Sequence, residues 1–402
     1  MKRLLALLLL LGLGLAQSEL QFLGELETAF RLRYADLSLA EPATRFRLRL
    51  ETGADYADLA AELLADAGGV RLGEAYARAY LGPVDLTLGR ILLTTGRTDL
   101  YSPLDAFNPK DLSYPLTPPE RQKLPVEGAW LIYYPEDARA SVELYYAPRF
   151  VPSTPPEGVW ARPNPLPPGV VRVETARPGP LLENGVFGVR GLYSFDVLEG
   201  LDLNLLLLRT YTPFPGLKAL LDASDPSRPC PDPNTGPCVA VLGYDRLTLL
   251  GGDLTFGFSL PEVEGGFIAR LEAALGLTKD LTGQNPLVQD SYFEGVLELE
   301  HPFPDGPTLL LLYHGRYAKT PGWTHHLALS AYYEADEALT LEGAWVQNLT
   351  DGSGLLLPRA RYRLAEGLWA QASLSLLYGK GASEFGAWRN NGELSLGLRY
   401  RF

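Results

Sequence analysis

The sequence predicts an all-β chain: a transmembrane antiparallel β-barrel of about 18 strands, with 16 as the alternative. Three observations carry this reading. The final residues alternate, with Leu394, Leu396, Leu398, Tyr400 and Phe402 on one face and Glu393, Ser395, Gly397, Arg399 and Arg401 on the other. A strand with one apolar and one polar face suits a wall between lipid and water. The same period-two pattern runs nearly from end to end, where a soluble α/β enzyme would show helical periodicity. The connections between strands alternate short and long, as they do in barrels with short periplasmic turns and long external loops.

The N-terminus fits an exported chain. Met1, Lys2 and Arg3 form a basic start, 4–15 is an apolar run, and Gly14-Leu15-Ala16 offers small residues to a signal peptidase. Residues 1–16 are read as a signal peptide with cleavage before Gln17, the alternative being an N-terminal anchor. The run is short for a permanent span, and no later segment approaches the ~18 consecutive apolar residues of a transmembrane helix. Any embedding is therefore by strands, and residues 17–402 are read as one barrel.

The strands follow in order. The first runs over 21–34, with Phe22, Leu26, Phe30, Leu32 and Tyr34 opposed to Glu25, Glu27, Arg31 and Arg33. The second runs from 44 to about 53, where Phe46, Leu48 and Leu50 alternate with Arg45, Arg47, Arg49 and Glu51. The apolar parity then flips to Leu59, Ala61 and Leu63, which demands a turn near 52–55. A fourth strand over 70–81 turns at Gly82-Pro83 into a fifth over 84–94. Beyond it, short turns at 135–137, 198–200, 261–265, 302–307, 335–338 and 365–367 alternate with longer connections. The three longest, 95–125, 148–185 and 212–244, are placed outside. Aromatic residues near strand ends fit a girdle at headgroup level.

The net charge of −13 argues against a nucleic-acid partner, which selects for basic stripes. It leaves outer-membrane lipid open as a partner, because barrels embed through apolar area. The polar parity gives the inward face. Arg31, Arg33, Arg45, Arg47, Arg49, Arg399 and Arg401 form a basic wall once the last strand closes on the first, with Arg359, Arg361 and Arg363 some three strands away. Glu272, Glu294, Glu298, Glu300 and Glu342 form an acidic wall opposite. Facing walls of opposite sign set up a transverse field in a wet lumen. Neutralisation of the arginines by Glu25, Glu27, Glu51 and Glu393 across strands is the competing reading.

Cys230 and Cys238 flank Pro, Asn and Gly turn formers in an external loop, which reads as a disulfide stiffening the loop tip. No metal site or cofactor is expected, since two cysteines without a nearby histidine do not make a zinc site, and Asp232 with Asn234 falls short of a calcium site. His301, His314, His325 and His326 lack a nucleophile and an orienting group in any recognisable motif, so no enzyme is read here.

Two resemblances add to this. A terminal strand ending in Tyr400 and Phe402 resembles the assembly signal of bacterial outer-membrane barrels, which implies the barrel-assembly machinery as a partner. Leu88-Gly89-Arg90, then Gly96-Arg97-Thr98-Asp99, Pro103-Leu104-Asp105 and Asn108-Pro109-Lys110-Asp111-Leu112 resemble uncharacterised outer-membrane porin-like barrels, one group of them known only as a domain of unknown function. The same stretch, roughly 85–150, is distantly similar to the alginate-export barrels, whose lumen is Arg-lined. The resemblance implies that Arg90, Arg97, Asp99, Asp105, Asn108 and Asp111 form a polar cluster at or inside the mouth, either constricting the pore or bracing the rim. Three functions follow: a porin-like, passive or mildly selective channel for small hydrophilic solutes, anions among them; a substrate-specific transport or export barrel for an anionic saccharide; and a structural or adhesive protein with a plugged lumen. The expected location is the bacterial outer membrane.

Overall fold

The structure, a computed structural model, describes residues 20–136, 139–162, 166–179, 182–197 and 200–402. The signal-peptide reading lies outside the described residues. The wall is built from β1 (Gln21–Arg33), β2 (Ser38–Ala54), β3 (Ala57–Asp66), β4 (Gly69–Leu81), β5 (Val84–Ile91), β6 (Val126–Tyr133), β7 (Ala140–Ala147), β9 (Val186–Phe195), β10 (Leu201–Tyr211), β13 (Arg246–Phe258), β14 (Phe267–Leu277), β15 (Tyr292–Pro302), β16 (Thr308–Ala318), β17 (Gly322–Glu334), β18 (Leu339–Asn348), β19 (Gly354–Ala365), β20 (Leu368–Leu374), β21 (Leu376–Tyr378) and β22 (Glu393–Arg401). β20 and β21 pair with the same neighbour, β19, and make one wall strand interrupted at Ser375. Each wall strand pairs antiparallel with the next, β22 returns to β1, and the result is a closed barrel of 18 strands.

Closure is set by the register of the two chain ends. Leu26 lies opposite Tyr400, Phe30 opposite Leu396 and Leu32 opposite Leu394, so the apolar parity of the last strand meets that of the first. Gly24 and Phe402 exchange backbone hydrogen bonds of 2.8 and 3.0 Å. The Phe402 ring lies where a Gly24 side chain would sit, so glycine is required for that approach. The outward parity is apolar all round: Phe22, Leu63, Leu88, Leu144, Leu205, Leu254, Leu297, Leu329, Leu356 and Leu398 are all exposed. In water such a surface would aggregate; in a bilayer it is the lipid-facing band. Tyr313, Tyr317 and Trp323 edge it at the long-loop rim, while Tyr400 and Phe402 edge it at the rim that holds the C-terminus.

Two wall strands differ from the sequence expectation. β2 begins at Ser38 rather than near 44, and its pairing with β1 carries a register shift between Ala29 and Arg31. β5 ends at Ile91 rather than 94, because the chain there leaves the wall and turns inward. The two longest external segments, read as plain loops, fold together. β8 (Val170–Ala176) from one runs parallel to β12 (Cys238–Gly243) from the other, and β12 pairs in turn with β11 (Gly216–Asp222). Cys230 and Cys238 are disulfide-bonded beside this small sheet.

A loop-divided lumen as the candidate functional site

The segment 92–125 folds into the barrel. Asn108 anchors both of its ends: its carbonyl accepts the Leu93 N–H at 2.7 Å and its amide donates to the Ile91 and Leu124 carbonyls at 3.0 Å each. The Leu124 N–H donates to the Pro109 carbonyl at 2.8 Å, and Lys123 pairs with Asp105 at 2.6 Å. A long excursion is thereby tied into a compact unit whose backbone groups are largely satisfied.

This unit reaches both sides of the ring. At one side, the Glu272 carboxylate on β14 accepts the Arg97 N–H at 2.5 Å, the Thr98 N–H at 2.8 Å and the Ser102 hydroxyl. Glu298 on β15 accepts the Asp99 N–H at 2.9 Å, and Glu294 accepts the Tyr101 hydroxyl at 2.8 Å. The Arg97 guanidinium pairs with Asp202 on β10 at 2.6 Å and lies 3.5 Å from Asp253 on β13. At the other side, Arg121 meets Glu27 on β1 at 2.7 Å and Glu25 at 3.4 Å, while Tyr114 donates to Glu393 on β22 at 2.6 Å. A segment bonded to β10–β15 and also to β1 and β22 crosses the lumen.

It divides the interior into two halves. Under the loop, Val126, Tyr145, Val186, Leu206, Leu208, Leu249 and Ala274 point inward and pack with Leu93, Leu104 and Phe107 in a dry cluster. Leu104, Leu208 and Leu249 are fully buried. That half is a core. The other half, along β1–β4 and β18–β22, carries the arginines, and at its long-loop end Leu355 on β19 and Leu377 on β21 pack with Trp160, Tyr114 and Trp388 in a second apolar cluster.

The predicted acidic wall does not face open water as a unit. Glu272, Glu294 and Glu298 are buried beneath the loop as its acceptors, and Glu300 is held by Arg270 at 2.8 Å. Glu342 is not opposite the arginines at all: it lies on β18, next to β19, and pairs with Arg361 and, at 3.3 Å, with Arg359. Parity identified the face; the folded loop, invisible to parity, decided what covered it. The β19 arginines sit two wall strands from β22 rather than three from the β1–β2–β22 group.

Most of the predicted basic wall is paired. Arg399 meets Glu27 at 3.0 Å, Arg401 meets Glu25 at 2.9 Å, Arg49 meets Glu74 at 2.8 Å and also Glu51, and Arg47 meets Glu62. Arg33 lies 3.7 Å from Asp36, and Arg363 lies 3.6 Å from Glu337. Arg31 stacks 4.5 Å over the Tyr114 ring. Among the described residues, Arg31 and Arg45 have no carboxylate partner. Arg78 on β4, absent from the sequence expectation, has none either: it binds the Thr87 hydroxyl at 3.0 Å and lies 5.2 Å over the Trp130 ring. The alternation Tyr76-Ala77-Arg78-Ala79-Tyr80 was its signal, obscured by a bulge between Ala61 and Leu63 in the pairing of β3 with β4.

The six residues tied to the mouth by resemblance do not form one cluster. Arg97 and Asp99 bond to β10–β15, with Asp99 3.5 Å from Arg270. Asp105 and Asn108 brace the loop internally, and Asp111 accepts the Ser113 N–H at 3.0 Å in a local turn. Arg90 is placed elsewhere. It registers with Ala75 and Glu127, shares the face of Leu86 and Leu88, and pairs with Glu127 at 3.3 Å on the outer side of the rim.

The histidines separate by face. His325 lies outside with Tyr313 and Trp323. His314 and His326 lie inside with their Nδ1 atoms 3.3 Å apart; His314 reaches Glu294 at 3.2 Å and His326 reaches Glu384 at 2.7 Å. Burial pushes the Glu384 carboxyl up, but hydrogen bonds from His326 and Asn348 with the His326 charge outweigh it, and the group ends below its ordinary range.

A closed 18-strand barrel, apolar outside and charged within, defines the class: a bacterial outer-membrane β-barrel. No protein-family model matches the chain, and no curated protein matches it. Among solved structures it is similar to OccAB4 of Acinetobacter baumannii, at 10% identity and a TM-score of 0.54, over 96% of this chain and 99% of that one. It is also similar to a mutant of the Rhodobacter blastica porin, at 14% identity and a TM-score of 0.44, over 96% of this chain and 100% of that one. OccAB4 shares its fold.

Proposed function

We propose that the protein is a porin-like channel for small hydrophilic solutes, with a preference for anions. The observation that carries this is the division of the lumen: one half is filled by the 92–125 loop, and the other is lined by ionic side chains along β1–β4 and β18–β22, with the apolar cluster of Trp160, Leu355 and Leu377 confined to its long-loop end. A wet, charged strip through a lipid-facing barrel is a conduction path. Its sign comes from Arg31 on β1, Arg45 on β2 and Arg78 on β4, because every other arginine named above on this side has a carboxylate to offset it. Unpaired fixed charge in a low-dielectric wall raises the local concentration of counter-ions. The barrel fold shared with OccAB4 supports the reading.

Planar-bilayer recording under a salt gradient tests it. The wild-type reversal potential should report anion preference, and Arg45, Arg47 and Arg49 replaced together by Ala should move it toward cations. An unchanged potential removes these residues from the path. No current at all favours a plugged, structural barrel.

A further inference from the structure

A cavity of about 180 Å³ lies at the long-loop mouth, between the inward-folded segment and the ends of β7, β10 and β15. Its apolar walls are aromatic: Phe107, Phe150, Tyr211 and Phe214, with the Phe150 ring 5.0 Å from that of Tyr211. Two cations line it. Among the described residues, the Lys110 ammonium has no ion pair and lies 5.8 Å from the Tyr101 ring, and Arg149 makes no ion pair. The carboxylates nearby are already engaged. Asp105 is held by Lys123 at 2.6 Å through one oxygen, its other oxygen being buried without a hydrogen-bond partner, and Glu294 by Tyr101 at 2.8 Å, His314 at 3.2 Å and Arg316 at 3.7 Å. Lys110 is fixed in place by its backbone, which receives the Thr154 N–H at 2.9 Å and donates to the Ser153 hydroxyl at 3.0 Å. A half-buried cation without a partner in an aromatic pocket is an incomplete ion pair, and burial of an ammonium is costly until an anion answers it.

We propose that this cavity is a binding site for a small organic anion with an apolar body, held by Lys110 and Arg149 through its charged group and by the aromatic walls through the rest. Neutral polar solutes gain nothing from the two cations, and inorganic anions gain nothing from the rings, so the site selects for both properties together. The proposal deepens the channel reading, on which it rests for placing the cavity along a solute's route. Burial holds the Lys110 ammonium below its ordinary range, in part offset by Asp105. An incoming anion restores its charge.

The test is calorimetric or saturation-transfer titration of the detergent-solubilised full-length protein with sodium benzoate, against benzyl alcohol as the neutral counterpart. Benzoate should bind saturably and benzyl alcohol should not. Lys110→Met, which keeps the stem and every backbone contact, should weaken benzoate by at least about tenfold, the loss of one charge-assisted contact. Arg149→Gln, at an exposed position without an ion pair among the described residues, should weaken it as well and serves if the first variant fails to fold. Absent benzoate binding, equal binding of the alcohol, or unaltered binding in both variants would overturn the proposal. Conductance of the same preparation separates the two readings: an open channel without benzoate binding removes the site alone, and benzoate binding without current removes the channel alone.

Discussion

Glu272 shows how one inward residue organises the interior. It is buried on β14 and receives two backbone N–H groups and one hydroxyl from the loop that crosses the lumen. An alanine there would strand those donors, at about 1–3 kcal/mol for each group left without a partner. Asn108 plays the matching part at the loop's base, with three hydrogen bonds to its two ends. Asn108→Ala should release the loop rather than unfold the barrel, since the wall's ladder is untouched. The expected result is faster proteolysis within 92–125 and noisier single-channel current, with unchanged heat-modifiable mobility of the barrel. Loss of the folded barrel in this variant would show that the loop supports the wall itself.

At the scale of elements, the loop over 379–392 is held to the wall by Glu384, which joins His326, Asn348 and, through its N–H, Asp351 at 2.7 Å. The sign of its pH response follows from a carboxyl held below its ordinary value of 4.5. Such a group stabilises the folded loop fully above that value, and the contribution is lost as pH falls through the lower, folded one. Protection factors in 379–392, with the intrinsic pH dependence of exchange divided out, should therefore fall as pH drops below about 4.5. In Glu384→Gln the acid step should disappear. An unaltered step in the variant would assign it to another carboxylate.

The same scale shows what could be read in advance. The wall strands were legible because lipid outside and charge inside impose a period of two, and the chain ends were legible because closure must match parity, as Leu26 opposite Tyr400 does. The loop was not. Arg97, Asp99 and Glu272 are more than a hundred residues apart in part and meet only because a segment without periodicity folds back through the lumen. Pairing of β8 with β12 was hidden for the same reason, as it joins two separate external excursions. Arg90 was misplaced because a charged residue just after Gly89, at φ +139°, was assigned by motif rather than by register, and register puts it outside.

For the whole molecule, the lumen divides into an apolar part beneath the 92–125 loop and an ionic strip along β1–β4 and β18–β22, and the proposed solute path runs along the second. Substituted-cysteine accessibility measures this directly. Arg45→Cys places a thiol on β2 in the ionic half, where the native side chain has no carboxylate partner among the described residues. Leu249→Cys places one on β13 beneath the loop, where the native side chain is fully buried. The native Cys230–Cys238 pair is oxidised and silent toward the reagent. With each variant in a planar bilayer, a charged thiol reagent should step down the current through Arg45→Cys and leave Leu249→Cys unchanged. Block of the Leu249→Cys channel, with the Arg45→Cys channel unaffected, would contradict the account.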